Sequence, residues 1–344
     1  MKNNKIYRFL TSIRLAIFLL VVIAVLCVLC TLIPQNESQA VYSEKYGEFI
    51  ASIIQLFGFD HVLSSFWMYL TGMIFAVNLG LCTLARFQWA MACSKKQIRI
   101  DAWGSPLLHV GLCLILVGAV LSIGFGRQIY YEIPVGKTAK VSGNSGIFEL
   151  QVDDFSIEYY EDNISPKQYR SSLTAKSEEK EAVSLITEVN APAKYDGVTI
   201  IQQAYGWQTQ ITLSSDSASR QIEVKDNEWV TLFGEGEDAV SLGIAFYPDY
   251  AEVDGEPRLM SNQDKNPYIL WAITKGEIPV ASDVLALGES TAIFESLGIT
   301  FDGYDYYTGL QIKFDPGIPV IFAGFFLVCI GLMIRYVFVK KQSE

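Results

Sequence analysis

Histidine and charge are scarce in this sequence, and cysteine is missing from more than half of it. Two histidines in 344 residues cannot supply many ligands to a metal ion. Charged residues make up 18% of the chain and hydrophobic ones 51%, with a mean hydropathy of +0.27. Water-soluble chains carry about a quarter charged residues, so a fully soluble protein of two ordinary domains and a disordered chain are both excluded. The net charge of −11, with no basic stripe, excludes a nucleic-acid binder. No cysteine falls between Arg127 and Phe314, so that stretch is not built on disulfides. No repeat of 20 to 50 residues and no effector signature after Ile334 is present.

The apolar residues are gathered into four runs. These are Leu15–Ile33, Phe66–Ala85, Gly104–Gly124 and Gly317–Ile334. Each approaches the roughly 20 residues a helix needs to cross about 30 Å of hydrocarbon. The first follows Lys2, Lys5, Arg8 and Arg14 but is too long for the apolar core of a secretory signal, and no small-x-small cleavage site precedes Pro34. The expected fold class is an integral membrane protein of four transmembrane helices with a large extracytoplasmic, mainly-β domain. Its divisions are residues 1–33 (tail and first span), 34–65 (outer loop), 66–124 (second span, basic loop, third span), 125–316 (β-rich domain) and 317–344 (fourth span and tail).

Lys and Arg set the expected orientation. The N-terminal tail, the segment with Arg86, Lys95, Lys96 and Arg99, and the C-terminal tail with Arg335, Lys340 and Lys341 are basic. Residues 34–65 carry only Lys45 beside Glu37, Glu44, Glu48 and Asp60. The positive-inside rule puts both termini in the cytoplasm and residues 125–316 outside. Residues 127–314 hold 14 Lys and Arg against 30 Asp and Glu, a net of −16. Such acidity keeps a domain soluble and also suits a basic partner.

Strand signals fill the outer stretch at Phe148–Tyr160, Ser184–Val189, Val198–Tyr205, Thr209–Leu213, Arg220–Val224, Ile269–Thr274 and Thr308–Phe314, punctuated by Gly, Asn, Asp and Pro. They predict an antiparallel sandwich or open barrel. In the first outer loop, Tyr42, Tyr46, Phe49, Ile50, Ile53, Ile54 and Phe57 recur at helical spacing over Val41–Phe57. This predicts one helix lying flat at the membrane interface, or a docking surface for a partner's helix.

Cys27 and Cys30 form a C-x-x-C inside an apolar run; a redox centre needs a polar surrounding that lowers a thiol pKa, and the alternative is a pair of small hydrophobes. Cys82, Cys113 and Cys329 also lie in spans, and Cys93 in the basic loop. His109 stands five residues into the third run, about 8 Å from its inner end. An ionisable group inside a span costs a few kcal/mol and usually faces a partner or cavity. It reads either as an interhelical hydrogen bonder or as an axial ligand to haem iron. Gly111, Gly118 and Ser122 line one face of the same run, with His109 about 160° round from Gly111 at 100° per residue. His61 reads as a solvated loop histidine. A second metal ligand would come from His61, another residue type or another protein.

The segment SIRLAIFLLVVIAVLCVLCTLIPQ (12–35), with Tyr46-Gly47, Gly58-Phe59-Asp60, Ser65-Phe66-Trp67, Asn78-Leu79, Cys82 and HVGLCLILVGAVLS (109–122), resembles the ResB-like family of cytochrome c biogenesis proteins. DFSIEYYEDNISPKQYRSSL (154–173), VNAPAKYDGVTIIQQAYG (189–206) and Asp315-Pro316-Gly317-Ile318-Pro319 are similar too. The resemblance covers most of the chain and is weakest over 207–300. It implies a system II complex in a bacterial plasma membrane that exports haem b and attaches it to apocytochrome c outside, a cytochrome c haem-lyase of which this chain is one subunit. It implies a polytopic, tryptophan-rich partner of the ResC or CcsA kind, since no tryptophan-rich segment is present here, with a thiol–disulfide reductase as a further partner. By location, His109 matches the family's membrane haem ligand. No catalytic nucleophile or base is assigned. The competing classes are a four-span scaffold or sensor without chemistry, and a transporter, against which stand one buried ionisable residue and no inverted repeat.

Overall fold

The computed structural model describes residues 5–94, 101–161, 164–178, 180–215, 218–294 and 297–340. Lys2, Lys95, Lys96, Arg99 and Lys341, which carry part of the orientation argument, lie outside the described residues. The chain divides into two compact units, Met1–Gly126 with Asp315–Glu344, and Arg127–Phe314.

The first unit contains seven helices among the described residues: α1 (Lys5–Leu10), α2 (Ile13–Leu32), α3 (Gln39–Tyr46), α4 (Glu48–Leu56), α5 (Phe66–Ser94), α6 (Asp101–Phe125) and α7 (Gly317–Lys340). Four of them contain stretches long and apolar enough to cross a membrane: Ile13–Leu32, Phe66–Ala92, Ala102–Phe125 and Gly317–Val337. This is a four-span membrane protein. The second span continues past Ala85 because Arg86, though charged, is a good helix former and does not stop the backbone.

Helices α6 and α7 pack antiparallel through matched glycines. Gly104, Gly111 and Gly118 on one helix face Gly331, Gly324 and Gly317 on the other. A Cβ added at Gly111 would stand 2.6 Å from the Gly324 carbonyl oxygen, and one at Gly324 would stand 2.7 Å from that of Gly111. At Gly104 the Gly331 oxygen would be 2.9 Å away. No side chain fits there, so the two backbones touch directly. Small residues are what permit this in lipid, where helix association rests on close van der Waals packing. The seven-residue spacing keeps the glycines on one seam.

Helix α5 is joined to the start of the chain by a buried amide. Asn78 Nδ2 donates to the Leu10 oxygen at 2.5 Å and to the Ser12 oxygen at 3.3 Å. These carbonyls belong to the break between α1 and α2, where regular helix bonding lapses.

The loop between the first two spans, residues 34–65, folds into a cap instead of a single helix. Gly47, at φ 79 and ψ 155, separates α3 from α4. That conformation lies outside the helical region and is open to glycine, so the apolar periodicity over Val41–Phe57 spans a corner. Folding at the corner brings Tyr42, Ala51 and Ile54 together with Ile33 and Phe59 in a small core. Tyr42 is fully buried, and its hydroxyl donates to the Pro34 oxygen at 2.7 Å. Gln35 closes the cap: its Nε2 donates to the Phe59 oxygen at 3.1 Å, and its Oε1 accepts from Val62 N at 2.9 Å.

The second unit is built of sixteen strands among the described residues, and every named strand pair is antiparallel. Two long strands organise it: β7 (Val198–Ser214) and β16 (Leu297–Phe314), paired along nearly their whole length. One half of this ribbon, with β1 (Arg127–Pro134), packs on the sheet β2 (Thr138–Ser142), β3 (Ile147–Tyr159), β4 (Pro166–Ser177) and β5 (Lys180–Glu188). That core contains Phe148, Leu150, Leu173, Ile200 and Leu310. The other half packs on the sheet β9 (Glu228–Phe233), β10 (Val240–Tyr247), β13 (Tyr268–Lys275) and β14 (Ile278–Ala286), with Trp207, Ile211, Leu242, Ile269 and Phe301 inside. The expected sandwich is therefore a double one, sharing two strands.

Sequence periodicity divides β7 into Val198–Tyr205 and Thr209–Leu213, and the structure supplies the reason. Val198, Ile200 and Gln202 are buried, then Trp207, Thr209 and Ile211. The inward side changes from even to odd positions across a bulge at Gln203, where Gly309 pairs with Ala204 and Leu310 with Gln202. One extra residue reverses the face of every side chain beyond it. Beside the bulge, Ser171 Oγ donates to Gln202 Oε1 at 2.6 Å, while Gln202 Nε2 donates to Thr308 Oγ1 at 2.8 Å and to the Ala204 oxygen at 2.9 Å. All three side chains are buried, and the network ties β4 to both long strands.

Two stability predictions follow. Gly111→Val or Gly324→Val should destabilise the detergent-solubilised protein by about 1–3 kcal/mol, the usual cost of overpacking. Gly80→Ala, where an added Cβ meets nothing within 4 Å, should melt within a degree or two of the parent. Equal melting of all three would refute backbone contact between α6 and α7. Gln202→Leu strands Ser171 and Thr308 and should cost about 1–3 kcal/mol, read as a lower melting temperature of the β unit. An unchanged melt would show that the network carries no stability.

Candidate functional site

His109 lies on α6, whose first turn begins at Asp101, earlier than the apolar run suggests. It is therefore eight residues along the helix, about 12 Å from its start at 1.5 Å per residue. The carbonyl of Ser105, one turn back, lies 2.9 Å from its Nδ1. A carbonyl oxygen can only accept, so Nδ1 is the donor, and in the neutral ring Nε2 is then the nitrogen that carries the lone pair. A backbone carbonyl on one imidazole nitrogen is a common way of orienting the other toward a metal. The half-buried ring sits on the face of Cys113, one turn further on, whose Sγ is 3.3 Å from Thr83 Oγ1 of α5. The glycine face, with Gly111 and Gly118, is turned to α7. The small face thus packs while the histidine looks elsewhere.

His61 stands in a 3-10 turn, Phe59–Ser64, and breaks it with φ −144 and ψ 52. Its Nδ1 lies 2.7 Å from Asp60 Oδ1, and its side chain is 44% exposed. That carboxylate oxygen is buried without an aligned hydrogen bond. His61 is exposed, as expected, and the placing of its ring beside Asp60 has no signal in the sequence pattern. The turn itself is firmly seated: Asn36 N donates to the Asp60 oxygen at 2.8 Å, Val62 is fully buried, and Ser65 Oγ donates to the Val62 oxygen at 2.7 Å.

The two histidines are far apart. Phe87 of α5 meets Trp103 of α6 with ring centroids 5.5 Å apart, and Thr83 meets Cys113, so His109 is level with residues 83–87. His61 immediately precedes α5 at Phe66, roughly 25–30 Å along that helix by its rise per residue. They cannot share one iron. Among the described residues no group of three or more His, Cys, Asp or Glu could hold a metal ion.

Cys27 is exposed on α2 and Cys30 half-buried, both as free thiols. In the β unit the conspicuous cluster is aromatic: Phe155 meets the rings of Tyr169, Tyr205 and Tyr306, Tyr205 meets those of Tyr169 and Tyr306, and Tyr306 stacks on Trp207 at 3.8 Å. Burial pushes the Tyr205 hydroxyl up to about 12 and raises that of Tyr306 as well. These phenols stay neutral, which disfavours them as tyrosinate ligands to iron.

Residues singled out by resemblance prove to have structural work. Asn190 and Asp196 take positive φ in tight turns, and Asp196 accepts from Ser145 N at 2.8 Å and from Ser145 Oγ at 2.6 Å. Asp315 accepts from Ser122 Oγ at 2.6 Å where α7 begins beside the end of α6. Reading the sequence missed Asn78 as a buried bond donor and the glycine heptad of α7. Its signal, three glycines seven apart in each of two spans, was available.

The sequence profile of the ResB-like family matches residues 13–100 and 96–342. Similar proteins include the cytochrome c biogenesis protein Ccs1 of Pyropia yezoensis, 24% identical over 96% of this chain and 86% of that protein. The cytochrome c biogenesis protein CcsB of Picosynechococcus sp. (strain PCC 7002) is 24% identical over 96% of this chain and 83% of its own length. The CcsB of Synechococcus sp. (strain JA-2-3B'a(2-13)) is 26% identical, over 97% and 84%. The match runs through all four spans and the β unit between them, and this chain belongs to the ResB-like family.

Proposed function

We propose that this chain is the haem-handling subunit of a membrane complex that carries haem outward and joins it to apocytochrome c. The observation that carries the reading is His109: an imidazole inside an apolar span, its Nδ1 committed to the Ser105 carbonyl and its Nε2 left as a lone pair. Relatives named as cytochrome c biogenesis proteins supply the context.

Haem b is the cargo. It is flat, largely apolar and carries two carboxylates, so passage through lipid needs a sheltered groove and a ligand for its iron. His109 provides one axial nitrogen near the cytoplasmic side, where haem is received. The second nitrogen comes from a tryptophan-rich polytopic partner, because no other imidazole of this chain is within reach. The acidic β unit, net −16, faces out of a bacterial plasma membrane and attracts the basic apocytochrome. Thioether formation requires reduced cysteines and ferrous haem, maintained by the complex and a thiol–disulfide reductase. No residue of this chain is given a bond-making role.

In the complex co-purified with its polytopic partner, His109→Ala should remain inserted, since alanine is less costly in lipid than histidine. Bound haem should lose its low-spin bis-nitrogen spectrum, and millimolar imidazole should restore part of it. A variant with unchanged haem content and spectrum refutes the ligand role and leaves His109 as a helix-packing residue. The orientation is tested by reporters active only outside the cytoplasm. A fusion after Gly126 should be active and fusions after Arg99 and Glu344 silent; activity at Arg99 overturns the arrangement.

A further inference from the structure

A sheet whose last strand has no neighbour invites pairing with another chain, and folded proteins usually blunt such edges. In the β unit most edges are blunted. Pro134 ends β1, Pro279 and a bulge interrupt β14, and bulges also break β9 and β15 (Ser290–Phe294). Arg220, Glu223 and Lys225 stud β8 (Ser219–Lys225). The strands β2, β6 (Ala193–Tyr195), β11 (Tyr250–Val253) and β12 (Glu256–Leu259) have five residues or fewer. The exception is β5, the last strand of the sheet β2-β3-β4-β5. From Val183 to Glu188 its register with β4 is unbroken, and Ala182–Thr187 contains no proline, glycine or charge.

We infer that the β5 edge receives an added strand, an extended segment of the apocytochrome that is to be joined to haem. The inference rests on the proposed haem-attachment role and adds where the protein substrate is held.

Both the backbone and the core are open along β5. Glu188 donates its N–H to the Ala191 oxygen at 3.1 Å and accepts from Ala191 N at 3.0 Å, on the side away from β4. Alternate residues of an antiparallel strand turn their backbone groups to opposite sides. Ser184 and Ile186 therefore also point theirs outward, where no strand bonds them among the described residues. Val183 pairs with Ala175 and shares its inward face, yet Ala175 is fully buried while Val183 is 41% exposed. Leu185, opposite buried Leu173, is only partly buried. Inward-facing side chains left uncovered at an edge are what a sheet short of one strand shows. Ile186 on the outer face is 59% exposed. An added strand would bond Ser184 and Ile186, and its alternate side chains would cover Val183 and Leu185 on one face and Ile186 on the other.

Chemistry identifies the occupant. Haem is attached at a Cys-x-x-Cys-His segment, of which only the cysteines and the histidine are specified. Strand addition takes its affinity from main-chain hydrogen bonds, so it can hold such a segment whatever its other residues are. An unfolded chain offers those groups freely. Charge agrees: the run into β5, Glu178-Glu179-Lys180-Glu181, is net acidic in a unit of net −16, which suits a basic apocytochrome. A second copy of this chain paired antiparallel on the same edge would instead bring Glu181 of one beside Glu188 of the other, and like charges across strands repel. The edge makes no covalent bond; it holds the segment extended.

The test uses the full chain purified with its polytopic partner in lipid nanodiscs. The probe is a reduced fluorescent peptide of about ten residues, the upper length of an ordinary strand, with Cys-x-x-Cys-His between lysines, and anisotropy reads its binding. Methylating two adjacent backbone nitrogens of the peptide blocks strand addition in either register and should weaken binding at least about tenfold. Methylating its lysine side chains, which keeps their charge, should not. Ser184→Pro removes one outward donor and leaves the ladder to β4 intact; it should melt with the parent and bind the peptide roughly three- to tenfold more weakly. Should that variant not fold, the methylated peptides decide on the parent. Full affinity of the backbone-methylated peptide, or of Ser184→Pro, refutes the edge. If the parent is a dimer that Ser184→Pro separates and the peptide does not bind, the occupant is a second copy and the proposal falls. A parent that holds haem but no peptide refutes the edge and leaves the His109 reading standing. One that binds peptide at the edge but no haem upholds the edge and overturns that reading.

Discussion

The contact on which the membrane unit depends is backbone against backbone between α6 and α7. Three glycines on each helix, seven residues apart, bring the chains closer than any side chain would allow. In lipid there is no hydrophobic gain from pressing two apolar helices together, so close packing and the bonds at the seam's ends must supply the attraction. At one end of the seam Ser122 donates to Asp315, where the chain leaves for the β unit and returns. The first and last strands of that unit, β1 and β16, are paired from Arg127 with Phe314 onward. Each unit therefore presents its two connections side by side. That suits a folded domain inserted between two consecutive spans.

The seam also settles what the rest of α6 is free to do. With Gly104, Gly111 and Gly118 committed to α7, the flank bearing His109 and Cys113 is available to α5 and beyond. A buried imidazole is costly in a span. Here one nitrogen is satisfied within its own helix, which lowers that cost and fixes the tautomer.

In the β unit, the long pair β7 and β16 does the organising. A strand of 17 residues packed against a single core would show one face throughout. This one changes face at Gln203, and its partner changes parity too, with Ile299 and Phe301 buried before the switch and Leu310 and Ile312 after it. The bulges allow one ribbon to serve two cores. The amide of Gln202 and the hydroxyls of Ser171 and Thr308 occupy the place where neither core's side chains reach, and each satisfies the others.

The sequence by itself determined the membrane class, the four spans within a few residues and the antiparallel β character of the acidic stretch. Each rests on a local property: the length of an apolar run, or its period. His109 stood out for the same reason, as a lone ionisable group in such a run. Tertiary structure decided whatever depended on two distant segments meeting. The cap is two helices because Gly47 turns the chain onto Tyr42, while the apolar spacing continues across the corner as if nothing had happened. The strand ending at Ser214 is continuous although its alternation reverses, because the extra residue at the bulge is seen only against its partner. The placing of the His61 ring beside Asp60 belongs to a turn that no periodicity describes. A one-dimensional pattern records which face a residue shares, and only the folded chain sets what that face meets.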